Sequence, residues 1–263
     1  MTVLGNLGSQ AEDLLNPYIN SETKGVVITP LGKIVSSVLR GTEGRYGIFI
    51  KNLTTGENFF LNADQTFESG SLYKLKLMVL TFEQIKQGGL SENETLTADI
   101  EELNKFFEIP KEDAEFEEGV IQFSIKSALE QMITISHNYA ALALTKKIGA
   151  KNLAEPITPG EVGSFFEDLY NGKVIDGDYS KQMLELLSRQ KINDRIPKLL
   201  PKEVKVAHKT ADLDYFEHDS GIVFSPKGDY IMVVLTESKI PDAAGRKTAE
   251  LSKAVYGYFN RVN

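Results

Sequence analysis

Cysteine and tryptophan are both missing from this chain of 263 residues, and histidine occurs only three times. Without cysteine, disulfides and thiolate catalysis are excluded, and the chain suits an oxidising or a reducing compartment equally. His137, His208 and His218 lie far apart without ligand-like spacing, so no metal site is expected. The opening MTVLGNLGSQAEDLL has neither a basic start nor an apolar run of signal-peptide length, so either the protein is cytosolic or an export signal or anchor has been removed from this sequence. No segment approaches the roughly 20 apolar residues of a membrane span. Positive charge is also short: 29 Lys and Arg face 37 Asp and Glu, a net charge of -8. That balance argues against a nucleic-acid or anionic-membrane partner, since both attract clustered cations.

What remains is a composition of 41% hydrophobic and 25% charged residues, enough to bury a substantial core. Residues 1–30 read as an irregular extension, followed by a helix at LGKIVSSVLRG. GRYGIFIKNLTTGENFFLN reads as a β-hairpin, two apolar runs joined by a polar turn. Periodicity then predicts helices over 71–87, 124–135, 138–148, 159–170 and 180–190. The acidic run EIPKEDAEFEEG reads as a solvated loop between helices. Strands resume at EVKVAHKTA, DSGIVFSP and DYIMVVLTE, the last two antiparallel across the turn SPKGD, and a final helix covers about 242–260. Strands at both ends of a helical middle imply an α+β fold, one antiparallel sheet assembled from distant parts of the chain.

The helix over 71–87 is apolar on nearly every side, and Lys74 interrupts it three residues after Ser71. That spacing puts both side chains on one face. Burial lowers the pKa of an ammonium, so such a lysine can take the proton of a neighbouring hydroxyl. The simpler alternative is that Ser69 or Ser71 caps the helix while Lys74 reaches solvent. The spacing alone decides nothing, because SETK from Ser21 and SRQK from Ser188 repeat it. Two other pieces give it context: SHN (Ser136 to Asn138) at a junction of helices, and HKTA (His208 to Ala211) ending a strand. Their look-alikes, SEN at Ser91 and KTA at Lys247, fall in a polar turn and at a helix start.

Ser-x-x-Lys, Ser-x-Asn and Lys-Thr in this order resemble the motif set of serine β-lactamases and penicillin-binding proteins. The resemblance runs from about Gly44 to the C-terminus and is nearest to class A β-lactamases. It implies one domain over 31–263, with a sheet lobe at about 31–65 and 191–263 and a helical lobe at about 66–190. It further implies Ser71 as nucleophile, Lys74 as its activator, Ser136 as proton relay and Asn138 as a binder of the substrate's side-chain amide. Lys209 and Thr210 would hold the substrate carboxylate, Arg195 would support that anion pocket, and the backbone N–H groups of Ser71 and Asp212 would form the oxyanion hole. No cofactor or metal is implied. The expected partner is a small β-lactam or peptidoglycan-like molecule, met by a monomer outside the cytoplasm.

Three departures from the pattern qualify these expectations. His137 stands at the middle of Ser-x-Asn, where only a local change is expected. Ala211 replaces the glycine of Lys-Thr-Gly, so its methyl is expected to crowd the ligand. The long loop that carries the deacylating glutamate in class A enzymes has no room between TKKIGAKNL and the next helix. Glu155 is the nearest substitute, then Glu161, although Glu-Pro before a helix is also ordinary helix-start chemistry. Loss of a positioned base typically slows a step by about 10²- to 10⁴-fold. A β-lactam hydrolase that is acylated at Ser71 and deacylates slowly is therefore expected. A D-alanyl-D-alanine peptidase or esterase, and a covalent β-lactam receptor or wall-binding module without turnover, are the alternatives.

Overall fold

The computed structural model describes residues 29–151 and 153–261. The expected extension falls almost wholly on residues 1–28, outside the described residues. The described residues form two compact units: one takes 29–68, Pro156–Glu167 and 193–261, the other Ser69–Glu155 and Asp168–Ile192.

The first unit is built on a five-stranded antiparallel sheet in the order β2-β1-β7-β6-β5. Its strands are β1 (Arg45–Asn52), β2 (Asn58–Leu61), β5 (Val206–Leu213), β6 (Phe216–Val223) and β7 (Tyr230–Glu237). The β1–β2 turn closes because Asn52 Oδ1 accepts from the N–H groups of Thr54 and Thr55 at 2.9 and 2.8 Å. Asp229 Oδ1 accepts from Ser225 N at 2.9 Å and closes the SPKGD turn in the same way.

Helix α1 (Pro30–Leu39) begins where Thr29 Oγ1 accepts from Gly32 N at 3.1 Å and proline occupies the first turn. It packs with the terminal helix α8 (Pro241–Phe259) over one sheet face. Leu31, Val35, Leu251 and Val255 bury there against Ile48, Ile50, Met232 and Val234. On the other face α6 (Pro159–Tyr170) approaches β1 closely. A Cβ on Gly163 would fall 2.5 Å from the Phe49 ring, so only glycine permits that approach.

The second unit holds α2 (Tyr73–Lys86), α3 (Ile100–Phe106), α4 (Ile125–Thr134), α5 (Asn138–Ile148) and α7 (Gly177–Leu187). It also holds a two-stranded sheet of β3 (Thr95–Asp99) and β4 (Val120–Ser124). Ala140, Ala141 and Ala143 keep α5 thin where it meets α2 and α4, whose Leu77, Met78, Met132 and Ile133 are fully covered. The α+β architecture matches the sequence expectation. The β3–β4 pair and α3 do not appear in that expectation: each strand is five residues of mixed exposure, too short for a clear alternation. Helix α7 starts earlier than expected, because Asp176 Oδ1 accepts from Tyr179 N at 3.0 Å and caps it.

Candidate active site

Ser71 does not begin a helix. It lies inside a 3₁₀ turn, Gly70–Leu72, and α2 starts only at Tyr73. Gly70 enters that turn at φ +46°, a left-handed conformation that costs a residue with a Cβ about 1–2 kcal/mol. Neither Ser69 nor Leu72, the residues at the cap positions of the turn and the helix, makes a side-chain capping bond. The capping alternative for this serine pair therefore has no bond to support it.

Lys74 does not reach solvent; it is 0% exposed. Its Nζ donates to Ser136 O at 2.6 Å, to Asn138 Oδ1 at 2.7 Å and to Ser136 Oγ at 3.1 Å. These bonds use all three N–H groups of an ammonium. Among the described residues none is directed at Ser71 Oγ. Burial pushes the Lys74 ammonium down to about 8, with the Glu115 charge opposing the shift. On losing a proton the amine keeps two donors and gains a lone pair, so one of its three bonds must reverse. Ser136 Oγ is the only one of the three acceptors that carries a proton to give back.

Ser136 presents both oxygens to Lys74 because its own φ is +58°, a left-handed conformation that a serine holds at a cost. His137 then caps α5, its Nδ1 accepting from Ala140 N at 3.2 Å while its ring stands edge-on to Phe123 at 5.6 Å. Burial keeps this imidazole below its usual pKa, so it is neutral and able to accept at Nδ1. Asn138, the first residue of α5, divides its amide: Oδ1 takes Lys74, and Nδ2 donates to Glu115 Oε2 at 3.2 Å.

Glu115 belongs to the acidic run that the sequence presents as a solvated loop. The loop is fastened at the next residue, where Phe116 O lies 2.8 Å from the Tyr139 hydroxyl and accepts from Asn104 Nδ2 at 2.8 Å. The one signal available in the sequence was Phe116 itself, an aromatic inside a run of charge.

Glu155 is exposed and forms an ion pair with Lys76 Nζ at 3.7 Å. Lys76 follows Lys74 by two residues, which is about 200° around a helix. Among the described residues Glu155 makes no hydrogen bond to Ser71, Lys74 or Ser136. Glu161 is committed elsewhere: its Oε2 accepts from Thr158 N at 2.8 Å and Thr158 Oγ1 at 2.9 Å, capping α6.

The second group of expected residues lies in the sheet unit, on β5, an edge strand. Lys209, Thr210 and Ala211 are 0%, 1% and 1% exposed. Lys209 Nζ donates to Thr210 O at 2.8 Å. The Ala211 methyl is thus under cover and not presented to solvent. Thr210 Oγ1 is buried without a hydrogen-bond partner among the described residues.

Arg195 is neither an open anion receptor nor a surface pair. At 2% exposed it donates from Nε to Glu217 Oε1 at 2.9 Å, and its Nη2 bonds both Glu217 Oε1, at 2.8 Å, and Asp212 Oδ1. The other Glu217 oxygen accepts from Gly245 N at 3.2 Å. Burial raises the carboxyls of Asp212 and Glu217 above their usual range, while Arg195 draws both back down.

His208 and Asp219 form a second buried pair, Nδ1 to Oδ1 at 2.8 Å, and Asp219 Oδ2 accepts from Ile196 N at 2.9 Å. That pair ties β5 and β6 to the segment carrying Arg195. His218 Nδ1 accepts from Thr236 N at 3.1 Å, which leaves Nε2 to donate to Glu68 O at 2.9 Å. The three histidines therefore serve structure, and the described residues contain no cluster of three or more metal-ligating side chains.

The family model described as "Beta-lactamase enzyme family" matches residues 30–157 and 154–259. Among solved structures, PBP-A aligns with a TM-score of 0.75 at 21% identity, over 88% of this chain and 96% of that one. A β-lactamase from Sphaerobacter thermophilus aligns at 0.76 and 18% identity, over 89% and 98%. The TLA-1 extended-spectrum β-lactamase aligns at 0.74 and 17%, over 89% and 100%. At these identities the likeness is one of fold. No curated protein matches the chain in sequence.

Proposed function

Because this chain belongs to the beta-lactamase enzyme family, we propose that it is a serine hydrolase that takes the acyl group of a β-lactam onto Ser71 and releases it slowly. The observation that carries this reading is the buried Lys74, held by Ser136 and Asn138 with its pKa lowered to about 8. At neutral pH an appreciable fraction of such an amine is neutral and able to take a proton.

In the proposed step Ser71 Oγ attacks the lactam carbonyl, and the proton it loses passes to Lys74. The C–N bond then breaks, and the nitrogen receives a proton from Ser136 Oγ, which is replenished from Lys74. The backbone N–H groups of Ser71 and Asp212 would hold the developing oxyanion. Asn138 would bind the side-chain amide, and Lys209 with Thr210 the group beside the scissile bond. A mutant of the structural neighbour PBP-A is itself an acyl-enzyme with penicillin G.

Slow release is supported by where the two candidate glutamates stand, Glu155 on Lys76 and Glu161 on Thr158. A base must lie within hydrogen-bond reach of its water. The same placement favours a second reading, a D-alanyl-D-alanine peptidase or esterase whose acyl group passes to another acceptor. Among the described residues no helix is long and apolar enough to cross a membrane. A monomer working on wall-related substrates outside the cytoplasm fits the reading.

Intact mass and product release, followed together with penicillin and a chromogenic cephalosporin, test it. A lasting adduct with little product is expected. Rapid sustained hydrolysis that survives Glu155→Ala and Glu161→Ala would contradict slow release. Labelling unchanged in Ser71→Ala would remove the site assignment.

A further inference from the structure

The resemblance places a substrate carboxylate beside Lys209, Thr210 and Arg195, a pocket with two cations. The charges found on this face of the sheet differ. The Arg195 guanidinium is 2% exposed and already shared between Glu217 and Asp212, with Asp194 Oδ1 3.7 Å from Nη1 and His218 O 3.5 Å away. Two cations, Arg195 and Lys209, are set against four carboxylates, Asp194, Asp212, Glu217 and Asp219, before any substrate arrives. The Asp212 side chain is 56% exposed, so its charge is open to solvent and to an incoming group. Lys209 is close enough to favour the ionised form of Asp212, so part of its field is spent within the strand.

Asp212 follows Thr210 by two residues. On a strand that separation puts both side chains on one face, about 7 Å apart. An anion bound at Thr210 would meet the Asp212 carboxylate at that distance, where like charges repel, and more so once the bound molecule displaces water from between them. The Thr210 hydroxyl, buried and without a partner among the described residues, can donate to a carbonyl or a carboxylate oxygen alike, so the choice between them falls to the charge at Asp212.

We propose that Asp212 is a specificity-determining residue, which makes β5 receive an uncharged polar group, an ester or amide carbonyl, in preference to a free carboxylate. The preferred acyl donors are then lactams or esters whose neighbouring acid is masked. This inference rests on acylation at Ser71 and specifies the substrate of that same centre.

The test uses benzylpenicillin and its methyl ester, two lactams that differ in the charge beside the reacting ring. Second-order rate constants for adduct formation are read from intact mass, and the ratio of acid to ester is compared between proteins. The wild-type ratio is expected near or below one. In Asp212→Asn, which keeps the Arg195–Glu217 pair, the ratio is expected to rise at least about tenfold, and Asp212→Ala should move it in the same direction. A smaller rise in both variants, or a fall, overturns the inference while leaving acylation at Ser71 intact. If neither compound labels any of the three proteins, acylation itself fails, and the inference with it.

Discussion

Asp212 and Glu217 stand directly opposite each other across the β5–β6 ladder, and the Arg195 guanidinium bonds to both. Like charges in facing positions of an antiparallel pair are destabilising, so this register is tenable only with the cation in place. Removing one member of a buried ion pair typically costs about 3–5 kcal/mol, because the other charge is left without compensation. Arg195→Ala is therefore expected to lose about 3 kcal/mol or more in urea unfolding, given that Glu217 is largely buried. Adding Glu217→Gln should recover part of the loss. Equal stabilities for the single and double variants would show that the cluster is not coupled.

Lys74 should set the pH dependence of acylation. With a pKa near 8, about a tenth of the amine is neutral at pH 7. If the neutral form is the base, the acylation rate rises about tenfold from pH 7 to a plateau above pH 9. Rapid-quench mass measurements across that range check it. A rate that falls above pH 8 would mean that Lys74 acts only as a positive charge.

Glu115 should tune that profile. Its charge raises the Lys74 pKa, against the lowering caused by burial. Glu115→Gln is expected to shift the midpoint of acylation to lower pH, by a fraction of a unit because the charge is exposed and screened. The same variant relieves Asn138 Nδ2 of a charged partner. An unchanged midpoint would remove Glu115 from the electrostatics of the centre.

His218 should make the fold sensitive to acid. Burial holds its pKa at about 4 against 6.5 for a free imidazole. Between those values the unfolded chain takes up a proton that the native state refuses, so stability falls as pH drops from 6.5 towards 4. The loss approaches about 3 kcal/mol in total. His218→Gln should be less stable at pH 7, since its bonds to Thr236 N and Glu68 O are disturbed, yet flatter between pH 6.5 and 4. Urea midpoints at pH 7 and pH 4.5 for both proteins check this, and parallel slopes would contradict it.

Much of this was legible in the sequence, for identifiable reasons. The helices α5 and α6 fall at the expected boundaries because their apolar periodicity is strong and a Gly or Pro punctuates each. Short motifs mark Ser71, Lys74, Ser136 and Asn138, and the helical unit brings Ser136 and Asn138 onto the Lys74 ammonium. What stayed hidden depends on register and on loops. Nothing in the sequence aligns Asp212 with Glu217, since that pairing follows from where β5 meets β6. The bond from Asn138 to Glu115 was hidden by the charge of the run around it. The buried state of Arg195 follows from the same register and could not be read from an arginine in a polar segment.

The central claim is that acylation of Ser71 outruns release of the acyl group. It is tested most directly by labelling the protein with excess benzylpenicillin, removing the free antibiotic, and following intact mass through the next hours. The account predicts one adduct per chain, absent in Ser71→Ala, that persists long after the antibiotic is gone. Return to the unmodified mass within seconds, with penicilloate released in step, would contradict it.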